Sequence, residues 1–520
     1  MERLPTPAID WFTLTPILIL LGGALLLLVA GSLTPRWPRG LYALVAASSA
    51  GAAGVMGLFL WHNVTTPMDL TGVTTQEQFD ALPVTGPRLL VSGAIRFDAF
   101  AVWVGIAICV AILLTVLVTD DYLQREDMVD TAPEIFSLYL MAGIGGIVMG
   151  SANDLVVLFL GLEVLSIAMY VLAASHRRRI QSQESGLKYF VLGGFSSAFF
   201  LYGVALIYGA SGTTNISQIV ESFNGSVAAN RNDALALAGV ALLLVGLAFK
   251  AAAVPFHFWA PDVYQGAPTP VTAFLASVGK IAAFAAMLRV LIYALPHWRN
   301  DYQPVVWVIA AVTLIVGSVM AVVQTNVKRM LAFSSISHAG FLLVGVEAAS
   351  HKAGETDLGL GVSSTLLYLM IYSVLVIGTF SIVTVVGRTG DNDTDLAGFR
   401  GLSQSKPVLA FAMTVLLLAQ AGMPLTSGFI AKVGVIRAAV DEQSWVLAVL
   451  AMLSAVIAAF LYLRIMISMW IAEPVAGDQD REAVRVPLAT AVTITISVAF
   501  TLFIGFLPGW LIDAAASITR

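Results

Sequence analysis

Apolar runs long enough to cross a lipid bilayer, which takes about 20 residues, follow one another along the chain with short polar joints between them. They fall near 12–33, 40–61, 97–118, 133–150, 153–174, 185–209, 233–258, 268–294, 304–324, 329–347, 363–387, 406–438, 445–472 and 487–512. The pattern predicts an all-α integral membrane protein of about 14 transmembrane helices, numbered here helix 1 to helix 14 in that order. The opening "MERLPTPAIDW" lacks the basic start of a cleavable signal, so the first run is read as a retained helix.

Composition agrees with the pattern. Of 520 residues, 58% are hydrophobic and 11% charged, and the mean hydropathy is +0.88; a soluble domain carries about 25% charged residues. The net charge of -5 is spread thinly, with no basic arm or stripe, which argues against nucleic acid as a partner. The single cysteine, Cys109, excludes a disulfide within the chain and any thiolate-held zinc or iron–sulfur centre. No spacing among the six histidines reads as a metal site.

The positive charge of the joints sets the expected orientation. The odd joints hold Arg36 and Arg39, Arg177 to Arg179, Lys328 and Arg329, Arg388, Arg400 and Lys406, and Arg481 and Arg485, whereas the even joints hold mostly single arginines such as Arg231 and Arg299. The positive-inside rule then puts the odd joints in the cytoplasm and both termini outside.

Two runs are interrupted. Helix 7 ends in "AVPFHFWAPDVYQGAPTP", and helix 12 contains "AQAGMPLTSGFIAKV" with Gly422, Pro424 and Gly428. Broken helices at matching places in two halves are the mark of inverted-repeat transporters with ion sites at mid-membrane. Asn153 and Asn326, at the starts of helices 5 and 10, lie 173 positions apart, and Pro255 and Pro424 lie 169 apart. These offsets predict two inverted five-helix repeats, helices 4–8 over 133–294 and helices 9–13 over 304–472. An N-terminal unit (1–132, helices 1–3) and a C-terminal helix 14 (487–520) flank them.

Several charges stand where lipid should exclude them. Of seven lysines, Lys250 and Lys280 lie well inside apolar runs, Lys432 follows the break in helix 12, and Lys188 lies near the start of helix 6. A charge at the centre of a membrane helix costs about 2.5–3.5 kcal/mol on insertion scales. Glu163, in the middle of helix 5, is the anomaly of opposite sign. Burial disfavours the charged form of such groups and pairing favours it, so groups held between the two can exchange protons when a neighbour moves. His257 and His338 are candidate shuttles beside them, and Ser334, Ser335 and Ser337 either support waters or bond to their own helix.

Plainer readings stand beside these. Lys188 can snorkel to the headgroups, and Glu163 with Lys250 can be a static ion pair that fixes packing. Lys328 reads as a positive-inside anchor, Lys352 and Lys406 as loop charges, and Asp154 as a carboxylate favoured by the start of helix 5.

The stretches "GLEVLSIAMYVL", "ESGLKYFVLGGFSSAFFLYG", "FKAAAVPFHFWAPDVYQGAPTPVTAFLASVGKIAAFAAMLR", "NVKRMLAFSSISHAGFLLVG" and "GMPLTSGFIAKV" together resemble the antiporter-like membrane subunits of respiratory complex I. "ESGLKYFVLGGFSSA" and "TAFLASVGKIAAFAAMLR" most resemble the subunit N family of the proton-pumping NADH:quinone oxidoreductases. The likeness runs from helix 4 onward; helices 1–3 and the joint from His62 to Arg96 match only in layout.

The resemblance implies a proton relay. In it Glu163 is the acidic partner of Lys250, Lys188 modulates that pair, Lys280 connects two half-channels, Lys432 ends the second, and His257 and His338 lie along a hydrated axis. A lysine at 432 fits subunit N or L rather than M, and the chain lacks the long C-terminal lateral helix of L. No cofactor is implied in this chain: FMN and iron–sulfur clusters belong to other subunits, with quinone as acceptor. The implied partners are lipids and other membrane subunits, K on one side, M on the other and J in addition, in a bacterial inner membrane. The alternatives are a subunit of a multisubunit sodium/proton antiporter, against which "SGLKYF" leans, and a structural spacer whose buried pairs only set packing.

Overall fold

Thirteen of the predicted runs form helices long and apolar enough to cross a membrane among the described residues, and the twelfth forms a helix divided in two. The computed structural model describes residues 9–34, 37–66, 85–224, 233–391, 394–473 and 485–519. Arg36, Arg231 and Arg481 of the charge count lie outside them. The long helices are α1 (Trp11–Leu33), α2 (Leu41–Thr65), α3 (Ala99–Arg125), α4 (Ala132–Ser151), α5 (Leu155–Ala173), α6 (Ile180–Ser211), α7 (Asp233–Ala251), α8 (Thr269–Leu288), α9 (Arg299–Val322), α10 (Val327–His351), α11 (Gly359–Val386), α12 (Pro407–Ala421), α13 (Trp445–Trp470) and α14 (Leu488–Phe506). After α7 and α12 come distal limbs, Trp259–Gly266 and Ser427–Asp441.

Boundaries moved where a cap or a break outweighs hydropathy. The run near 233–258 stops as an α-helix at Ala251, and the run near 406–438 stops at Ala421 and resumes at Ser427, so Gly428 lies inside the distal limb rather than at the break. Helix α6 begins at Ile180, which sets Lys188 in its third turn instead of its first. Helix α8 gives way to a π-helical turn, Arg289–Ala294. The joint before α3 contains a hairpin, Arg88–Leu90 paired antiparallel with Ile95–Phe97, Leu90 opposite Ile95.

The same construction appears twice. Asp154 caps α5 by accepting from the Val156 and Val157 amides, and Asn326 caps α10 by accepting from the Arg329 amide. Such caps satisfy amides that the first helical turn leaves free. Leu155 N–H donates to the Thr214 carbonyl and Ile216 N–H to that of Asn153; in the second half Val327 N–H donates to the Thr394 carbonyl and Leu396 N–H to that of Thr325. Each five-helix run therefore ties the start of its second helix to the chain that follows its third. Glycines let backbones meet at both α4/α5 and α9/α10. A methyl group on Gly145 would lie 2.6 Å from the Gly161 carbonyl oxygen, and one on Gly340 would lie 2.8 Å from the Leu314 nitrogen. Small residues serve this purpose in membranes, where helix association depends on close packing.

Helices α10 and α11 are buried along their length, whereas α1 and α2 expose most of theirs. The core sits where α8 packs on α11 and the distal limb of α7 packs on α6 and α10. A charge pair with a buried guanidinium clamps this core to the start of α3. Arg289 donates to both carboxylate oxygens of Asp98, at 2.8 and 2.6 Å, and to the Gly150 carbonyl at 2.9 Å, with its guanidinium 4.3 Å from the Phe100 ring centre. A planar guanidinium suits such bidentate pairing in a buried site.

Candidate functional site

Both helix breaks are closed in one way. At the end of α7, Ala252 adopts a left-handed φ of 56°, Ala253 N–H donates to the Ala248 carbonyl, and Ala252 N–H donates to that of Phe249. At the end of α12, Gly422 has φ 89°, Met423 N–H donates to the Leu418 carbonyl, and Gly422 N–H donates to that of Ala419. Each is a Schellman cap, and the left-handed residues lie 170 positions apart.

The caps leave the last carbonyls without amide partners, and lysines take them. Pro255 cannot supply the N–H that the Ala251 carbonyl would receive four residues on. The buried Lys280 of α8 donates to that oxygen instead, at 3.1 Å. At the second break Lys432, on the distal limb, donates to the Ala421 carbonyl at 2.9 Å and lies 4.8 Å from the Phe341 ring centre. A third lysine, Lys328, donates to the Ala267 carbonyl at the end of the α7 limb, at 2.6 Å, and lies 3.5 Å from the Asp391 carboxylate. This corrects the reading of Lys328 as a surface anchor: its side chain and that of Asp391 are wholly buried. Arg329 takes the outward direction.

Lys250 is different. It is buried one residue before the end of α7, its Nζ has no hydrogen-bond partner among the described residues, and it is 5.2 and 5.3 Å from the ring centres of Tyr170 and Tyr189. Aromatic faces attract a cation without accepting its protons in ordinary hydrogen bonds. Glu163 is within electrostatic reach of Lys250, yet no ion pair joins the two, and one oxygen of its carboxylate is buried with no partner among the described residues. The static ion pair considered from the sequence is therefore absent from this arrangement.

Lys188 does not contact Lys250. It bridges to Glu184 and to Asp262, each at 2.7 Å, and the other oxygen of Asp262 pairs with Arg329 at 2.7 Å. Asp262 stands on the distal limb of α7, so these pairs strap that limb between α6 and α10. His257 lies within the first break, largely buried, its Nδ1 unpartnered among the described residues.

His338 of α10 anchors a chain of hydrogen bonds. Its Nδ1 is 2.6 Å from the Tyr368 hydroxyl, its Nε2 is 3.2 Å from the Tyr462 hydroxyl, and that hydroxyl is 2.6 Å from Ser334. Lys280 and Lys432 are the two cations that bear electrostatically on it. Ser337 has no hydrogen-bond partner among the described residues, and Ser335 interacts with the hydroxyls of Tyr264 and Tyr372. Glu163 acts electrostatically on Lys250, and Lys280 and Lys432 act on His338; Tyr170 and Tyr189 flank Lys250, and Tyr368 and Tyr462 flank His338.

Comparisons with known proteins bear on this arrangement. A family profile described as "NADH:quinone oxidoreductase/Mrp antiporter, TM" matches residues 152–458. A relative from Streptomyces griseus subsp. griseus named NADH-quinone oxidoreductase subunit N 3 is 39% identical, covering 98% of this chain and 94% of its own. The chain belongs to the subunit N family of the NADH:quinone oxidoreductases. A solved structure of respiratory complex I from Thermus thermophilus contains a chain similar to this subunit N family member with a TM-score of 0.76 and 28% identity, over 96% of this chain and 99% of that one. A chain of the Mrp complex from Dietzia sp. DQ12-45-1b is similar with a TM-score of 0.78 but 20% identity, covering 98% and 97%, and shares the fold.

Sequence reasoning missed the tyrosines of the subunit N site, because Tyr170, Tyr189, Tyr368 and Tyr462 sit in apolar runs where aromatic residues are ordinary. It also missed Asp262 and Asp391, whose partners come from distant helices. The nearest signal for Asp262 was its place seven residues after the proline that breaks helix 7.

Proposed function

We propose that this chain is the proton-translocating subunit N of a bacterial NADH:quinone oxidoreductase. Its relay runs through Glu163, Lys250, Lys280, His338 and Lys432; His257 hydrates the first break, and Lys188 holds the limb that carries it. Redox chemistry stays with FMN and iron–sulfur clusters in other subunits, and quinone reduction there changes the electrostatics felt here. In this reading the residues divide into units 1–132, 133–294, 304–472 and 487–520. The neighbours are K, M and J, and the chain lies in the bacterial inner membrane with both termini outside.

One observation carries the proposal: each broken helix ends in a carbonyl held by a buried lysine, and the lysine beside the first break has no hydrogen-bond partner among the described residues. Broken helices whose freed carbonyls meet cations are how inverted-repeat transporters build ion sites. The break survives at membrane depth because it is buried in protein.

Mechanistically, Glu163 near Lys250 favours the protonated lysine. When the carboxylate swings away, the ammonium faces tyrosine rings and gives up its proton through water to the neutral amine of Lys280. Proton transfer then passes along Lys280, His338 and its tyrosine hydroxyls to Lys432. The lysine is reloaded from the cytoplasm and the cycle returns.

The test is Lys250→Ala in the intact, assembled complex in vesicles. NADH-driven proton transport is expected to fall at least about tenfold, on the scale of losing one positioned acid–base group, with assembly unchanged. Proton transport equal to the native complex sinks the proposal. Normal assembly with poor transport also separates it from a structural spacer.

A further inference from the structure

Near the end of α10, away from the relay just described, lies another buried carboxylate. Glu347 is nine residues beyond His338, roughly 14 Å along the helix, and its side chain is fully buried. One oxygen, Oε1, collects three neighbours: Gln303 of α9 donates at 2.6 Å, Ser444 at the start of α13 donates at 2.8 Å, and His351 Nε2 lies at 3.0 Å. The other, Oε2, is buried with no hydrogen-bond partner among the described residues. His351, one turn on, is 31% exposed. The pair therefore joins a sealed interior to the surface.

Packing alone does not explain this. A buried carboxylate with an empty oxygen is costly in a membrane protein, and a purely structural acceptor would be expected to use both oxygens. Between Lys432 and Glu347 the facing positions are small or hydroxylic: a methyl group on Gly434 would meet Ser364 Oγ, and one on Gly345 would meet Thr365 Oγ1. The limb that carries Lys432 runs on to Asp441, nine residues or roughly 14 Å further, and Ser444 follows it. The charged groups around His351 are Glu347, Glu442 and Arg299, the last donating to the His351 and Ala353 carbonyls.

We infer that Glu347 and His351 form the proton-exchange station at this end of the relay. The inference rests on the relay reading above. Glu347 takes a proton at Oε2 from the Lys432 side and, turning as a neutral carboxyl, hands it to Nε2 of a His351 whose own hydrogen is on Nδ1. His351 releases one from Nδ1 to the adjoining water. One proton crosses, the carboxylate returns to its charge, and tautomer exchange through the adjoining water returns the neutral imidazole's hydrogen from Nε2 to Nδ1.

The experiment uses the intact complex in vesicles, reading NADH-driven quinone reduction with an uncoupler present and, separately, protons moved per NADH. His351→Ala is expected to slow turnover at least about tenfold, and imidazole added to the medium restores it; Glu347→Gln gives the same loss without rescue. Native rates in either variant overturn the station, as does a slow His351→Ala complex that imidazole leaves slow, since that marks a structural role. Lys250→Ala run alongside separates the two readings. If it is impaired while Glu347→Gln is native, only the station fails, whereas a native Lys250→Ala complex removes the relay itself.

Discussion

The two helix breaks share one backbone design and differ in where they put charge. At the first, Lys250 precedes the cap and a lysine from the next helix, Lys280, takes the freed carbonyl; at the second, Lys432 follows the cap and takes that carbonyl itself. The first half also carries Glu163, whereas the position 173 residues on is Ile336, set among Ser335, Ser337 and His338. A lysine fixed to a peptide oxygen is a stable resting place, and a lysine facing two tyrosine rings is not. The comparison teaches that duplicated architecture can leave one ammonium free and fix another by moving it across a kink.

Substitutions can break this asymmetry. The largest effect is expected from Glu163→Gln, which removes the carboxylate that acts on Lys250 and is expected to lower coupled proton transport at least about tenfold; a native rate would make the two halves functionally alike. Next, Tyr462→Phe deletes the hydroxyl between His338 and Ser334. At about 1 kcal/mol per hydrogen bond, transport is expected to slow by a few-fold to tenfold, more in this half than Tyr170→Phe slows the first.

The remaining two test the caps. Gly422→Ala places a methyl group 2.9 Å from Cδ of Lys432 at a left-handed φ. It is expected to lower the stability of the purified complex by about 1–2 kcal/mol, read by thermal unfolding. Ala252→Gly makes the first cap like the second and relieves a left-handed alanine; the gain is expected to be at most about 1 kcal/mol, because glycine is more flexible when unfolded. Destabilisation there would show that the Ala252 methyl group contributes packing that outweighs its strain.

What the sequence disclosed follows from where local rules dominate. Proline and glycine act on their own backbone, so the breaks at Pro255 and Pro424 were visible, and an ammonium in an apolar run is anomalous in any fold, so Lys250, Lys280 and Lys432 stood out. Lys328 and Arg329 show the limit. Adjacent on one helix, they point about 100° apart, and only packing reveals that the first faces Asp391 and the second Asp262. The strap through Lys188 and Asp262 depends on residues 74 positions apart, and the tyrosine bridge to His338 on residues up to 124 apart.

The oxygens that receive Lys280 and Lys432 belong to the main chain. A side-chain acceptor can be deleted or exchanged by one codon change; a peptide oxygen is present whatever residue stands at 251 or 421. Related chains can therefore diverge widely at those alanines and keep both acceptors, provided the helix still ends there. Heritable variation reaches the site only through what ends the helix or through the lysines, and those are the positions where a survey of natural variants should look for change.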